Sequence, residues 1–213
     1  MTYPEVKREL RRAYDAKADQ REVMDDLPWK QPERERFAAL LRAAGAGTLL
    51  EIGAGHGISG RFFADEGFDV VCVDLSPELV ERCRANGLTA EVQDFSDLRF
   101  ADGSFDAVFG MNCLLHVPRA ELAAVLRSVR RVVAPGGLFY WGQYGGRRSF
   151  EGIFERDDYE PKRFFSWLTD EEIQRAAGEV FEQVDFRRIP LDGDRWTYQA
   201  LVLRRPSGVE SPG

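Results

Sequence analysis

Short apolar runs alternate with helical stretches through the middle of the chain, and no other feature constrains the fold as much. The runs typical of strands are Thr48–Ile52, Phe68–Asp74, Leu88–Gln93, Phe105–Gly110 and Leu138–Tyr144. Between the last two, Pro118–Val133 repeats apolar residues at helical spacing and predicts a long amphipathic helix. Strands joined by helices form βαβ units, so we expect an α/β fold with a doubly wound, mostly parallel sheet covered on both faces.

The two ends of the chain interrupt this alternation. Thr169–Glu172 is a capping box that begins a short helix. Asp192–Gly193 separates two strand-like runs, which indicates an antiparallel hairpin near the C-terminal end. We expect one domain over residues 1–205 and a disordered tail over 206–213. Its parts are a helical cap at 1–44, a core at 48–144, a lid or substrate segment at 145–168, and a helix with a hairpin at 169–205.

Charge and the rarer residue types exclude several classes of protein. The 29 Lys and Arg residues against 36 Asp and Glu residues give a formal net charge of −7, which disfavours nucleic acid as the main partner. No apolar run reaches the roughly 18 residues that a membrane span needs, and the charged segment Met1–Leu10 does not resemble a signal peptide. Three cysteines and two histidines show no disulfide or zinc spacing. We therefore expect a cytoplasmic protein without a metal.

A glycine-rich loop follows the first strand-like run. Gly53, Gly55 and Gly57 lead directly into a predicted helix, where backbone N–H groups and close approach suit a bound ligand. Asp74 ends the second run, the place where an acidic side chain can bind both ribose hydroxyls of an adenosine ligand. Ile58 stands where a dinucleotide-binding loop would have its third glycine, and no Gly-Lys-Ser/Thr phosphate loop is present.

Five segments, in order between residues 48 and 144, resemble the motifs of class I S-adenosylmethionine-dependent methyltransferases. They are Leu49–Phe63, Val71–Leu79, Asp94–Phe95, Phe105–Pro118 and Leu126–Gly137. The resemblance, to the members that act on small molecules, implies a Rossmann-like fold with seven strands. It also implies S-adenosylmethionine as cofactor and S-adenosylhomocysteine as product. Residues 48–144 would then form the cofactor-binding core.

The resemblance further implies which residues bind the cofactor. In chain order they are Tyr14, Glu51, Gly53, Ala54, Gly55, Gly57, Asp74, Leu75, Asp94, Phe95, Met111 and Asn112. Glu51 and the glycine loop would surround the methionine half. Asp74 would bind the ribose, and Asp94 the adenine amine. Tyr14 belongs to a short N-terminal element that covers the cofactor in related sequences, or is an ordinary packed aromatic residue.

Two features concern the methyl acceptor. His116 follows the fourth strand and is the best candidate for a general base, since an imidazole with a pKa near 6.5 accepts protons at neutral pH; the alternative is a structural or cofactor-lining role. Residues 140–167 hold nine of the 25 aromatic residues and a Gly145–Gly146 hinge, which predicts a substrate wall or lid, or else an extra packed element. The acceptor-binding candidates are Tyr144, Arg147, Phe165 and Trp167.

The predicted function is therefore methyl transfer to oxygen or nitrogen of a small, aromatic or hydrophobic molecule. Methylation of RNA or protein is the second hypothesis, and it needs a basic surface near Arg127–Arg131 or Arg147–Arg163. A non-catalytic protein that only binds S-adenosylmethionine is the third. The segment Met111–Leu114 is not the Asn/Asp-Pro-Pro-Tyr signature used on exocyclic base amines, so we do not expect methylation of DNA bases. The sequence leaves the oligomeric state open.

Overall fold

A seven-stranded sheet forms the centre of the computed structural model, which describes residues 1–22, 27–191 and 196–208. The helices of the described chain are α1 (Tyr3–Ala16), α2 (Ala18–Glu22), α3 (Lys30–Ala43), α4 (Ile58–Asp65), α5 (Pro77–Ala85), α6 (Arg119–Val132) and α7 (Asp170–Gly178). A short 3-10 turn, η1, covers Leu114–His116. The strands are β1 (Thr48–Ile52), β2 (Asp69–Asp74), β3 (Thr89–Val92), β4 (Phe105–Met111), β5 (Val133–Tyr144), β6 (Phe150–Ile153), β7 (Phe164–Trp167), β8 (Glu182–Leu191) and β9 (Trp196–Arg204).

The order of strands in the main sheet is β3-β2-β1-β4-β5-β9-β8. The first five of these are parallel to one another, and β9 runs antiparallel to both β5 and β8. The chain order reverses between β1 and β4, and ligands of open α/β sheets bind outside the carboxyl ends of the strands at such a switch point. The predicted doubly wound, mostly parallel sheet of seven strands with a C-terminal antiparallel pair is confirmed.

Local signals explain why the helices begin where they do. Ser76 accepts a hydrogen bond from the Leu79 backbone N–H and Pro77 occupies the first turn, which starts α5. The predicted capping box of Thr169 and Glu172 starts α7. Helix α6 packs its apolar stripe on the sheet through Leu122, Val125, Leu126, Val129 and Val132.

The structure corrects two element predictions around the fifth strand. Val133 belongs to the strand and not to the preceding helix. Strand β5 also begins at Val133 and not at the predicted Leu138, and it includes Pro135–Gly137, whose residue types are typical of a turn, with Gly136 at a φ of 81°. The strand pairs with β4 on both sides of an irregularity, at Phe105 with Val133 and from Ala107 with Leu138 onward. Between Val133 and Leu138 strand β5 has four residues where β4 has one, so the Pro135–Gly137 segment bulges out of this ladder and the pairing resumes at Leu138.

Residues 145–168 contain a separate two-stranded sheet that the sequence does not predict. Strands β6 and β7 pair in antiparallel register, with Phe150 opposite Trp167 and Gly152 opposite Phe165. This hairpin crosses the carboxyl edge of the main sheet, where η1 contacts β7. The predicted turn at Asp192–Gly193 lies outside the described residues, as does most of the predicted tail. Within the ranges given above, no helix combines the length and the apolar character needed to cross a membrane.

Candidate active site

A cavity of about 380 Å³ opens at the carboxyl ends of β1 to β4, below α1 and beside the β6–β7 hairpin. Every residue that the sequence analysis assigns to the cofactor, except Gly57, lines it. His116, Tyr144 and Phe165 line it as well. The structure thus brings together residues from segments that are far apart in the sequence.

The glycine loop after β1 has the backbone conformation that its sequence predicts. Gly53, Gly55 and Gly57 have φ values of 62°, 60° and 88°, in the region that side chains disfavour. A Cβ atom on Gly53 would also lie 2.4 Å from the Cβ of Cys113, so the loop can approach the end of β4 only with glycine there. Gly57 is the N-cap of α4 and is not among the residues that line the cavity, so its contact with the cofactor stays a prediction.

Asp74 is held in place at the end of β2 by two backbone donors. Its carboxylate accepts hydrogen bonds from the Gly55 N–H at 2.8 Å and from the Ser76 N–H at 2.9 Å. Both donors belong to loops that border the cavity. A carboxylate fixed in this way meets a ligand without first losing side-chain freedom.

Asp94, after β3, forms an ion pair with Lys7 of α1. Its other oxygen accepts from the Ser96 N–H at 2.8 Å. Lys7 also lines the cavity, but the sequence analysis missed it, because nothing local to residues 1–10 indicates that α1 packs over the end of β3. The lysine neutralises the carboxylate that the resemblance assigns to the adenine amine.

Glu51 is buried in β1, and burial raises its pKa to about 8 even though the Cys72 thiol and the Gly60 N–H hydrogen-bond to it. The thiol donates to Oε2 across 3.6 Å. A Cβ on Gly60 would lie 2.8 Å from the same oxygen, so α4 reaches Glu51 only through a glycine. Arg34 of α3, buried and at the cavity wall, provides a positive charge that acts on Glu51. The sequence analysis identified neither Gly60 nor Arg34.

His116 has both ring nitrogens in hydrogen bonds. The Phe164 carbonyl can only accept, so Nδ1–H donates to it at 2.7 Å; in the neutral imidazole, Nε2 then accepts from the Tyr14 hydroxyl at 2.8 Å. The same hydroxyl accepts from Nη1 of Arg163 at 3.1 Å. Asp157 holds Arg163 through two parallel hydrogen bonds of 2.9 and 2.7 Å. A continuous polar chain thus runs from the hairpin through α1 to the turn after β4.

The acceptor-binding predictions divide into two groups. Tyr144 and Phe165 line the cavity, and the Phe165 ring lies 4.7 Å from the ring of His116. Arg147 is exposed and outside the cavity, and Trp167 is half-buried on the hairpin, also outside it. Arg163, which the sequence analysis considered only as part of a basic surface, lines the cavity.

The comparisons with known proteins agree with this geometry. A family model described as a methyltransferase domain matches residues 49–137. A curated ubiquinone biosynthesis O-methyltransferase from Xanthomonas oryzae pv. oryzae is 32% identical over an alignment of 171 positions, which covers 68% of this chain and 70% of that protein. The chain belongs to the class I S-adenosylmethionine-dependent methyltransferases. The predicted family, fold and cofactor are confirmed, and so is the enzyme class; methylation of RNA or protein is not favoured.

Two further comparisons concern a curated relative and a solved structure. A 2-methyl-6-phytyl-1,4-hydroquinone methyltransferase from Synechocystis is 36% identical over an alignment of 110 positions, which covers 47% of this chain and 34% of that protein. The crystal structure of 1,6-didemethyltoxoflavin-N1-methyltransferase from Burkholderia thailandensis has a TM-score of 0.75 at 22% identity, covering 97% of this chain and 91% of that one. That structure contains bound S-adenosylhomocysteine. At this identity, the likeness shows the shared fold.

Proposed function

We propose that this methyltransferase transfers the methyl group to a hydroxyl oxygen of a small aromatic molecule. The observation that carries the proposal is the tautomer of His116, whose Nε2 is fixed as a hydrogen-bond acceptor inside the cavity. A hydroxyl group must lose its proton as its oxygen is methylated, so it needs such an acceptor within reach. In this proposal, the cavity-lining residues given above bind the cofactor in the roles that the family resemblance implies.

Different kinds of side chain line the two sides of the cavity. Glu51, Asp74 and Asp94 come from β1, β2 and the loop after β3. On the other side, next to β4 and β5, the lining residues include Tyr144, Arg163, Phe165 and His116 rather than carboxylates. On the first side, the three carboxyl groups can accept hydrogen bonds from the ammonium, ribose and adenine groups of the cofactor, and Lys7 and Arg34 line the cavity beside them. On the other side, the positive charge of Arg163 disfavours a protonated amine and favours a phenol that is losing its proton.

The mechanism in this proposal uses the protein mainly for positioning and for proton transfer. S-adenosylmethionine, when bound, supplies an electrophilic methyl group. Tyr144 and Phe165 would orient the acceptor ring and exclude water. The Tyr14 oxygen would accept the proton of the acceptor's hydroxyl group. Tyr14 would at the same time donate its own phenolic proton to Nε2 of His116. The Arg163 guanidinium would stabilise the negative charge that develops on the Tyr14 oxygen.

The hypothesis of an RNA or protein substrate is weakened by how the basic residues are used. Arg131 donates to the carbonyl groups of Leu98 and Phe100 and pairs with Asp102. In the second cluster Arg163 pairs with Asp157. Such side chains stabilise the fold and are not available as a phosphate-binding surface.

A cytoplasmic location is part of the same proposal, supported by three buried, unpaired cysteines at 72, 83 and 113.

The direct experiment offers the wild-type protein labelled S-adenosylmethionine with matched pairs of acceptors. Each pair consists of a catechol, hydroquinone or hydroxybenzoate and the aniline of the same skeleton. We expect label on the phenols, and a His116→Gln variant that loses this activity while it still binds S-adenosylhomocysteine in calorimetry. Methylation of the anilines alone would contradict the proposed acceptor, and full activity of His116→Gln would contradict the proposed base.

A further inference from the structure

The β6–β7 hairpin carries a cluster of aromatic rings on one face. Alternate residues of a strand share a face, so Phe165 and Trp167 of β7 point the same way, and Phe150 lies directly opposite Trp167 in the register. Phe154 follows β6 and packs against both rings of β7. We call these four residues, Phe150, Phe154, Phe165 and Trp167, the aromatic platform.

The platform packs within itself more than against the core. Its ring centroids are 5.0 Å apart for Phe150 and Trp167, 5.2 Å for Phe154 and Trp167, and 5.7 Å for Phe165 and Trp167. All four side chains are half-buried. On the opposite face of β7, Phe164 and Ser166 are buried, and Phe164 joins the main hydrophobic core. The hairpin is therefore anchored by one face and presents partly exposed aromatic surface on the other.

Phe165 connects the platform to the active site. It lines the cavity, and its ring contacts the imidazole of His116 at 4.7 Å. The other three rings lie outside the cavity lining and continue from Phe165 along the hairpin. A molecule held beside His116 that extends past Phe165 would meet them next.

We propose that the platform is a second part of the acceptor site and binds an apolar substituent of the acceptor, while the reacting ring lies beside His116. This inference rests on the proposed function, and it adds to that function the class of acceptor: an aromatic hydroxyl compound with an extended hydrocarbon substituent. The continuity between the cavity and the platform through Phe165 supports this assignment. Partly exposed aromatic rings gain favourable burial when an apolar chain covers them. A charged or very short substituent would leave the platform unused.

The test measures how affinity depends on the length of the substituent. A series of 4-alkylcatechols from methyl to octyl is titrated by calorimetry into the wild-type protein with S-adenosylhomocysteine present. We expect tighter binding with each added carbon, approaching about fourfold for each methylene that is fully buried. In the Phe154→Ala and Phe150→Ala variants, the dependence on chain length should flatten, while the affinity for 4-methylcatechol stays unchanged.

A matched control is Phe100→Ala, which removes a half-buried aromatic ring that packs on Phe105, away from the hairpin. In this variant, the dependence of affinity on the length of the alkyl substituent should equal that of the wild type. The proposal is overturned if wild-type affinity does not change with chain length, or if the platform variants retain the full dependence. It is also overturned if phosphatidylcholine vesicles bind through these rings while the alkylcatechols do not, since the platform would then be a membrane contact.

The outcome separates this inference from the proposed function. Chain-length-dependent binding without any methylation of the catechols would leave the platform in place and remove the proposed acceptor chemistry. Methylation of 4-methylcatechol with no gain from longer chains would confirm the chemistry and overturn the platform.

Discussion

The hydroxyl of Tyr14 and Nε2 of His116 lie 2.8 Å apart, although 102 positions separate the two residues in the chain. The contact joins α1 to the turn after β4 across the mouth of the cavity. Because Nδ1 of His116 donates to the Phe164 carbonyl, the tyrosine is the donor whenever the imidazole is neutral. One hydrogen bond therefore sets both the position of the N-terminal helix over the cavity and the proton-accepting state of the candidate base.

Replacing Tyr14 with phenylalanine tests whether this hydroxyl takes part in the reaction. The variant keeps the ring, which packs edge-on against Tyr159 at 5.6 Å, and removes only the oxygen that links Arg163 to His116. We expect kcat for a phenolic acceptor to fall by about 100-fold, the lower end of what general acid–base catalysis contributes. Affinity for S-adenosylhomocysteine should change little.

Rescue by more acidic acceptors gives the decisive comparison. A fluorinated phenol that is already ionised at the assay pH needs no base, so Tyr14→Phe should regain most of its activity with that acceptor. A purely structural role for the hydroxyl would instead lower kcat equally for neutral and ionised phenols.

Asp74→Asn is expected to weaken binding of S-adenosylhomocysteine by about 10- to 100-fold, the loss typical of hydrogen bonds to a charged group. The carboxylate that Gly55 and Ser76 hold in place is the proposed partner of the ribose hydroxyls. Asp69→Asn is the matched control, because Asp69 is exposed at the other end of the same strand. Equal affinities of both variants, measured by calorimetry, would contradict the ribose assignment.

The sequence is sufficient for those parts of the site that local signals determine. Gly53 and Gly55 follow a strand and precede a helix, and their positive φ values can be expected from that position alone. Asp74 is placed by the end of its strand in the same way. The mostly parallel character of the sheet also follows from the alternation of strands and helices, since crossover connections restrict the possible topologies.

The rest of the site depends on tertiary packing that leaves no local trace. Lys7 meets Asp94, and Arg34 approaches Glu51, only because α1 and α3 fold over the loops of the sheet. The β6–β7 hairpin was missed because its aromatic residues follow no clear alternation of polar and apolar positions and the chain between its strands is ten residues long. Gly60 is unusual in the sequence as a glycine early in a predicted helix. The structural reason for this glycine, the close approach of the Glu51 carboxyl group, is visible only in the fold.

Arg34→Met should weaken binding of S-adenosylhomocysteine by about tenfold, because the buried guanidinium is placed to attract the carboxylate of its methionine half. 5′-Methylthioadenosine has the same adenosine but no carboxylate, so the variant should bind it as the wild type does. Arg36→Met is the control: Arg36 lies on the same helix and pairs on the surface with Asp185. If Arg34→Met weakened both ligands equally, the carboxylate assignment would be wrong.

The raised pKa of Glu51 predicts a specific dependence of stability on pH. Its pKa in the folded protein, about 8, lies above the ordinary value of 4.5, so folded Glu51 keeps a proton that the unfolded chain has already lost. Its contribution to stability is therefore complete below pH 4.5, declines as the pH rises, and is lost above about 8. The slope between these limits is roughly 1.4 kcal/mol per pH unit.

Urea unfolding of the ligand-free protein between pH 5 and pH 9 measures this effect. The difference in unfolding free energy between the wild type and Glu51→Gln isolates the residue, because the neutral amide cannot ionise in either state. We expect the wild type to lose stability relative to Glu51→Gln as the pH approaches 8 and to run parallel to it above.

S-Adenosylhomocysteine brings an ammonium group to this side of the cavity and should favour ionised Glu51. Its binding near pH 7 should therefore release a proton in the wild type and not in Glu51→Gln. Calorimetry in buffers of different ionisation enthalpy would detect that proton, and equal release in both proteins would rule out Glu51 as its source.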